Sequence, residues 1–586
     1  MEQQTQVHSI LGVDIGSVNT QATLIARVEG TFRFVARAQS PTTLEDPWSD
    51  VSIGVRHAIE QLTQIAARPM LNDKGDVISP EQPDGAGVDL CVITCSAAQP
   101  LRVVLAGLVS DLSLDSLRRA AAGTYTWVED VFGLLGTERL SDEARARRIM
   151  SIQPDVVCIA GGTDGGAEEP VLDLVEAVTL GASLLDQAVR PKIIYAGNAN
   201  LRSRVSQIVG QQTEILMAEG NVRPNLETEN LDPLMNELEV LHAHNKIGNM
   251  PGIAACAAWS ALPMLSTARS LGHVIQYLSA LDDQSRGALG VDVGASTTSI
   301  ATGFKGNLHL SVRSDIGSAF GGTRLLREIG AAAILRWLPF ELTEGELEAF
   351  LINKELHPLS IPQDTRELLI EHAIAREAIR AALRTAKPSW YTDRQAALED
   401  LMPLIDPIVG AGAVLARAPR PGQAALMLLD ALEPIGVTTL NLDVYGLIPA
   451  LGLAALAQPL SATQAIENNG LLTLGTAIVP VGRARLGEII LGVKISYEGG
   501  GDLEVEVAAG TLEVLPLSLG QKAALRLAPR RGINIGYGPG RGVKLPDVNG
   551  GMVGLIIDAR GRPLSLPSNA KKRCQRIQQW LWDVGA

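Results

Sequence analysis

Two stretches of the chain, Gly12-Val-Asp-Ile-Gly-Ser-Val-Asn-Thr20 and Gly290-Val-Asp-Val-Gly-Ala-Ser-Thr-Thr298, repeat one pattern 278 positions apart. In each copy an apolar run ends in an Asp, and the Gly that follows permits a tight turn into a second strand. The turns are rich in hydroxyl side chains. Backbone N–H groups and hydroxyls of such turns bind anions, and the Asp is available to hydrated Mg²⁺.

The two copies together indicate more than either does alone. A single Asp-x-Gly is common turn chemistry. Two copies that match in their apolar lead, Asp, Gly and Thr predict two hairpins that face one polyphosphate. The alternative is a structural duplication whose turns have lost their ligand.

The predicted site consists of the two Asp residues and the turns that follow them. Asp14 and Asp292 are the candidate catalytic residues and the candidate ligands of Mg²⁺ through water. The candidate nucleotide-binding residues of the turns are Gly16, Ser17, Asn19 and Thr20 in the first copy and Gly294, Ala295, Ser296 and Thr297 in the second.

Composition sets the class of protein. A chain of 586 residues with 46% apolar and 19% charged residues is expected to form several globular domains. Aromatic residues make up only 4%, which argues against stacking platforms for single-stranded nucleic acid. The net charge of −14 disfavours nucleic acid and anionic membranes as partners. From Gly520 onward, however, 12 Lys and Arg face three Asp, so this end could bind an acidic partner or the body of the protein, or be solvated surface.

The cysteines and the N-terminus indicate a cytoplasmic protein. The five cysteines are scattered, and Cys91 and Cys158 lie inside apolar strand patterns, as reduced buried thiols do. Cys91 and Cys95 have no second ligand pair nearby, so no metal site is expected there. The first residues show neither the basic nor the apolar region of a secretory signal.

Hydrophobic periodicity predicts an α/β protein of three domains. Residues 10–38 have the pattern of three strands, followed by a helix and a buried strand, which is the opening of a ribonuclease-H-like lobe. We expect residues 1–285 to form this first lobe, with βα repeats inserted from about 154. Residues 286–460 restart the pattern as a second lobe, and 461–586 read as a small β domain with a basic terminal helix.

Gly-rich junctions follow two strands of the inserted repeats. They are Gly161-Gly-Thr-Asp-Gly-Gly166 and Gly197-Asn-Ala-Asn200. Because the carboxyl edge of an open parallel sheet binds ligands, Gly161, Gly162 and Asp164 are further candidates for nucleotide binding. A flexible connector explains both junctions equally well.

The paired hairpins, with a later Gly-x-Gly turn, resemble the nucleotide site of the actin, Hsp70 and sugar-kinase superfamily. The resemblance implies a two-lobed actin-like ATPase fold that binds ATP and Mg²⁺ between its lobes, with Gly410 and Gly412 in the adenosine motif. Within the superfamily the chain resembles the MutL/GlmL group, accessory proteins of glutamate (methylaspartate) mutase that are unrelated to mismatch-repair MutL. This resemblance covers roughly residues 8–460. It rests on the segments Cys95-Ser-Ala-Ala98, Asp155 to Gly166, Tyr195-Ala-Gly-Asn198, Gly290 to Thr298, Leu428 to Leu432, Gly436 to Asp443 and Gly446 to Gly452.

The resemblance implies an ATPase that acts as an accessory or reactivating chaperone of an adenosylcobalamin-dependent mutase. One position departs from the group's pattern: its first hairpin carries a Lys where this chain has Gln21, and the second copy has Ser299 there. A small-molecule kinase is an alternative, with Asp164 or Asp315 as the carboxylate base. A self-assembling actin-like filament protein and a nucleotide-free scaffold are the others.

Overall fold

The computed structural model describes residues 7–135, 140–281, 285–390 and 401–586. The strands in these ranges, numbered in chain order, are β1 Ser9–Ile15, β2 Asn19–Val28, β3 Thr31–Pro41, β4 Leu90–Cys95, β5 Leu101–Val109, β6 Thr126–Leu135, β7 Val156–Ala160, β8 Lys192–Tyr195, β9 Ile215–Met217, β10 Leu265–Ser266, β11 Gly287–Val293, β12 Thr298–Phe304, β13 Asn307–Arg313, β14 Ile405–Ala411, β15 Gly436–Leu442, β16 Leu472–Val479, β17 Ile489–Tyr497, β18 Asp502–Ala508, β19 Leu512–Leu515, β20 Lys522–Pro529, β21 Val543–Asn549 and β22 Gly554–Asp558.

The α-helices of the same ranges are numbered in the same way. They are α1 Val51–Ala66, α2 Asp115–Ala122, α3 Asp142–Ile152, α4 Glu169–Ser183, α5 Arg202–Val209, α6 Asp232–His242, α7 Ile253–Trp259, α8 Thr267–Leu281, α9 Gly322–Ile329, α10 Ala331–Leu335, α11 Glu344–Leu356, α12 Thr365–Ala386, α13 Ala413–Ala416, α14 Pro421–Leu432, α15 Ile448–Ala454, α16 Pro459–Ala465 and α17 Ala570–Asp583.

The chain divides into two compact units. The first comprises residues 1–97, 251–310 and 315–586, and the second comprises 98–250 with 311–314. The first unit contains two sheets with the same opening order, β10-β4-β1-β2-β3 and β15-β14-β11-β12-β13. In each, the first two strands form an antiparallel hairpin and later strands add in parallel beside the first. This repeated ribonuclease-H-like order makes the first unit a two-lobed actin-like α/β fold, as predicted.

A helix from each lobe packs against the sheet of the other. α8 follows the last strand of the first lobe and packs on β11 and β12, while α15 follows β15 and packs on β1 and β4. The Gly that opens each repeated stretch permits this approach. A Cβ atom at Gly12 would lie 2.2 Å from Cβ of Ala450 in α15, and one at Gly290 would lie 2.6 Å from Ile275 in α8. The first Gly of the pattern is therefore needed for helix packing, not for the turn.

Three of the C-terminal strands belong to the sheet of the second lobe and not to a separate domain. β16, expected to open a separate β domain, pairs antiparallel with β15, and β22 and β19 extend the same sheet to eight strands. β17, β18, β20 and β21 form a second, four-stranded sheet. Without β16 the edge of β15 would present unpaired backbone groups. Period-two alternation predicts a strand but not the sheet that the strand joins, so this pairing could not be predicted.

Two apolar cores hold the C-terminal region to the second lobe. Ile577, Trp580 and Leu581 of α17 belong to the core that α12 and α14 form on one side of the eight-stranded sheet. The four-stranded sheet shares a second core with β15, β16 and β22. Residues 461–586 thus lie in the same compact unit as both lobes. The three-domain division stays a prediction.

The second unit is a five-stranded parallel sheet of order β6-β5-β7-β8-β9. It begins at residue 98, so the insertion includes β5 and β6, which precede the predicted start near 154.

Cys158 is buried in β7, and Cys91 is buried in β4 of the first unit, as predicted. No helix in the described part of the chain is long and apolar enough to cross a membrane.

Candidate functional site

The two repeated hairpins have the same turn geometry and touch each other. Each turn closes with one backbone hydrogen bond, from Gly16 N to Asn19 O at 3.1 Å and from Gly294 N to Thr297 O at 2.9 Å. The hydroxyl oxygens of Ser17 and Ser296, 279 positions apart, are hydrogen-bonded at 2.5 Å. The two turns therefore converge, as the sequence pattern predicts.

A cavity of about 1020 Å³ opens beside this contact. Asp14, Asp292 and Asp443 line it, one from the end of β1, one from the end of β11 and one just after β15. A separate part of its wall comes from the loop between α11 and α12 and from the start of α12.

His372 lies in this part of the wall. Its ring is buried, its Nε2 has no hydrogen-bond partner among the described residues, and burial lowers its pKa to about 3. His372 is therefore neutral.

Hydroxyl groups orient the carboxylate of Asp14. Thr94 and Thr267 donate hydrogen bonds to its Oδ1 at 2.8 and 2.6 Å. Burial raises the pKa of Asp14, while these two hydrogen bonds act in the opposite direction by stabilising the ionised form. Neighbouring strand β4 and helix α8 thus fix this carboxylate toward the cavity.

Asp292 and Asp443 have strongly raised pKa values. For Asp292 burial is the main cause, and the negative charges of Asp14 and Asp443 add to it, so that its pKa rises to about 7. Burial raises the pKa of Asp443 to about 6, although the backbone N–H groups of Ile448 and Leu447 bind its carboxylate. Those contacts place Asp443 at the first turn of α15, where its oxygens accept from Leu447 N at 2.8 Å and Ile448 N at 2.9 Å.

The donor set fits hydrated Mg²⁺. Magnesium prefers carboxylate oxygens and keeps several of its waters. Among the described residues no three His, Cys, Asp or Glu side chains are placed to hold a metal ion directly. Asp14, Asp292 and Asp443 would therefore hold Mg²⁺ through its water shell, and the ion would supply positive charge against phosphate oxygens.

The raised pKa values predict that binding of Mg²⁺-nucleotide depends on pH. If Asp292 helps to hold Mg²⁺, the ion competes with protons for it, and the affinity for Mg²⁺ is expected to rise by about tenfold per pH unit up to about pH 7 and then to level off. The unliganded protein behaves in the opposite way. The folded state holds the Asp292 proton more tightly than the unfolded state does, so its free energy of unfolding falls between about pH 4 and pH 7.

Thermal melts with and without MgATP test both predictions: the rise of Mg²⁺ affinity with pH and the fall of the stability of the unliganded protein. The rise in Tm caused by MgATP should be larger at about pH 8 than at about pH 5.5. In Asp292→Asn this difference should shrink. An equal rise in Tm at both pH values would contradict the assignment.

Most of the predicted turn residues line the cavity. They are Asp14, Gly16, Ser17, Asn19, Asp292, Gly294, Ala295 and Thr297, together with Gly412. Gly412 has a positive φ of 87°, and a Cβ there would lie 2.2 Å from the carbonyl oxygen of Val293, so the Gly-x-Gly turn packs directly on the second hairpin. Thr20, Ser296 and Gly410 lie behind the cavity wall: Thr20 bonds Thr42, Ser296 bonds Ser17, and Gly410 is buried in β14.

Three other candidates lie in the second unit. Gly161, Gly162 and Asp164 follow β7, and none lines the cavity of the first unit. Asp164 accepts hydrogen bonds from Ala199 N at 2.9 Å and from Asn221 Nδ2 at 3.0 Å, which fixes the loop. Asp315, the other carboxylate named for a kinase, is paired with Arg324 at 2.6 Å and is not part of the cavity wall.

Sequence patterns missed several residues of the cavity. Asp443 carries a signal that could have found it, since it is a third Asp directly after an apolar strand. Thr267, Arg37 and Arg417 carry none, because only the packing of α8, β3 and the segment after α13 brings them to the cavity.

These features define the class: a two-lobed protein of actin-like fold, with two matching hairpins and three carboxylates at one cavity. The sequence profile of the MutL protein family matches residues 10–469, and the chain belongs to this family, as its motifs predicted. Protein MutL of Clostridium tetanomorphum is 24% identical over 439 residues, which cover 70% of this chain and 87% of that protein.

Solved structures show weaker likeness. A diol dehydratase-reactivating factor in nucleotide-free form is 11% identical, covers 79% of this chain and 100% of its own, and has a TM-score of 0.28. Xylulose kinase of Bifidobacterium adolescentis is also 11% identical, with coverage of 77% and 93% and a TM-score of 0.28.

Proposed function

We propose that this protein is an ATPase that serves an adenosylcobalamin-dependent mutase, such as glutamate mutase, as an accessory or reactivating chaperone. The observation that carries the proposal is the contact of Ser17 with Ser296, which joins two phosphate-type turns beside one cavity with three carboxylates. Membership of the MutL family supports the choice of partner.

The turns bind the phosphates of ATP through backbone N–H groups and hydroxyls. Asp14, Asp292 and Asp443 would hold a hydrated Mg²⁺, which would supply positive charge against the phosphates. Asp292 is the candidate general base. In its ionised form Asp292 would accept a proton from the attacking water, whereas Asp14, held by two hydroxyls, would orient that water.

ATP binding couples to the packing between the lobes through Asp443. This residue lines the cavity and also binds the first turn of α15, which packs on β1 and β4 of the first lobe. A nucleotide that binds one arrangement of the lobes more tightly shifts the protein toward it, and a partner can respond to that arrangement.

The test uses the full chain. Titration calorimetry should detect MgATP binding, and a phosphate-release assay should detect hydrolysis. A glutamate mutase that has lost activity during turnover should regain it with the chain and MgATP, but not with a non-hydrolysable ATP analogue. Failure to bind ATP overturns the proposed ATPase activity. Hydrolysis without any effect on the mutase overturns the choice of partner.

A further inference from the structure

The hairpins carry no cation at the position that faces each Asp. Gln21 lies directly opposite Asp14 across the first hairpin, and Ser299 lies directly opposite Asp292 across the second. Gln21 is also committed elsewhere: its Nε2 donates to the carbonyl oxygens of Tyr445 at 3.1 Å and Gly446 at 2.9 Å. Neither hairpin therefore has a cationic side chain opposite its Asp that could neutralise a phosphate.

The cavity needs positive charge beyond Mg²⁺. Ionised Asp14, Asp292 and Asp443 and the phosphates of ATP together carry more negative charge than one divalent ion offsets. Lys354 also lines the cavity, but it is paired with Glu371 at 2.7 Å. The negative charges of the carboxylates and the phosphates therefore repel one another strongly in this partly buried cavity.

Two arginines of the cavity wall have no acidic partner. Arg37 donates from Nη1 to the carbonyl oxygen of Val444 at 2.7 Å, and Arg417 donates to Oε1 of Gln39. Both acceptors are neutral, and no ion pair is found for either guanidinium among the residues that the structure describes. Burial, and then the positive charge of Arg37, lower the pKa of Arg417. Two neighbouring guanidinium groups that line one cavity and form no ion pair indicate an anionic ligand that binds both.

The strand register places Arg37 on the same face as the catalytic candidate. Asp14 pairs with Gln21, and Gln21 pairs with Gln39 on the next strand. Because side chains two positions apart in a strand point to the same face, Arg37 shares the face of these three residues. It lies two strands across and two residues along from Asp14, or about 12 Å between Cα atoms. Its positive charge also acts on Asp443, where it opposes the rise in pKa that burial causes.

We infer that Arg37 and Arg417 form an anion clamp that binds the phosphate chain of the nucleotide and replaces the cation missing from the hairpins. This inference rests on the proposed function and names residues that the hairpin pattern does not include. The clamp contacts phosphate and leaves the nucleoside to the remainder of the cavity.

Titration calorimetry on the full chain tests the clamp with Arg37→Gln, Arg417→Gln and the double variant. Loss of two charge-assisted contacts should weaken MgATP binding by at least about tenfold in the double variant. Binding of MgADP should be weakened less than binding of MgATP. Binding of AMP and of adenosine should be weakened by less than about twofold, because these ligands offer the clamp fewer phosphates or none. Arg37→Lys should recover part of the affinity. Arg531→Gln, an exposed Arg outside the cavity wall, is the matched control and should bind as the unchanged protein does.

Each other outcome has a distinct meaning. If binding of adenosine is weakened as much as binding of MgATP, the arginines act by holding the loop at Val444, and the clamp is overturned. If the double variant binds MgATP normally, the clamp is overturned while the proposed function stands. If the unchanged protein binds no MgATP, both fail. Thermal melts of every variant show whether the fold is intact.

Discussion

Asp292→Asn is expected to lower ATP hydrolysis by about 10²- to 10⁴-fold, the usual contribution of a general base, without weakening the fold. Asn keeps the size of the side chain but cannot accept the proton. The ionised carboxylate of Asp292 is unfavourable in the folded protein at neutral pH, because burial and the charges of Asp14 and Asp443 raise its pKa. Removing the charge should therefore leave Tm unchanged or raise it.

This opposite movement of activity and stability separates a catalytic residue from a structural one. Phosphate release and thermal melting would be measured on the same preparation. Asp315→Asn is the matched control, since Asp315 is paired with Arg324 and lies outside the cavity wall. The assignment is wrong if Asp292→Asn hydrolyses ATP at the unchanged rate, or if it loses activity only because it melts early.

Asp430→Ala is expected to have the largest effect on stability, a loss of about 3–5 kcal/mol in the free energy of unfolding. Asp430 in α14 accepts hydrogen bonds from Arg376 of α12 and Arg560, each at 2.8 Å, and all three side chains are almost fully buried. Arg560 also binds Asp558 of β22. Without Asp430, Arg376 is left in the core without its carboxylate, and one of the links between α12, α14 and the C-terminal region is broken.

Urea denaturation of the full chain measures this loss. A matched control is Glu504→Gln, which removes a pair with Lys494 on the solvent-exposed four-stranded sheet and should leave the denaturation midpoint within error. A similar midpoint for both variants would contradict the role of the network. Acid should weaken the network as well, because its arginines lower the pKa of Asp558, and the stability that this group contributes is lost as pH falls through that lowered pKa.

The sequence predicted the local elements well because their signals are local. Nine of the candidate site residues line the cavity, and their role in binding stays a prediction. An apolar strand, an Asp, a Gly and a hydroxyl-rich strand define a hairpin within about ten residues. Both hairpins form where predicted, at β1–β2 and β11–β12. The family and the actin-like fold, inferred from such motifs, are confirmed.

The tertiary structure decided what lies beside those hairpins. Asp443, Arg37 and Arg417 join the cavity, and β16 joins the sheet of the second lobe, through contacts between segments far apart in the chain. Gly161, Gly162 and Asp164 have a strong local motif, yet they belong to the inserted unit. Sequence alone determined where strands, turns and carboxylates occur, since backbone geometry and turn chemistry act over a few residues. Which of them meet depends on burial and strand pairing across hundreds of residues, and local patterns do not encode that.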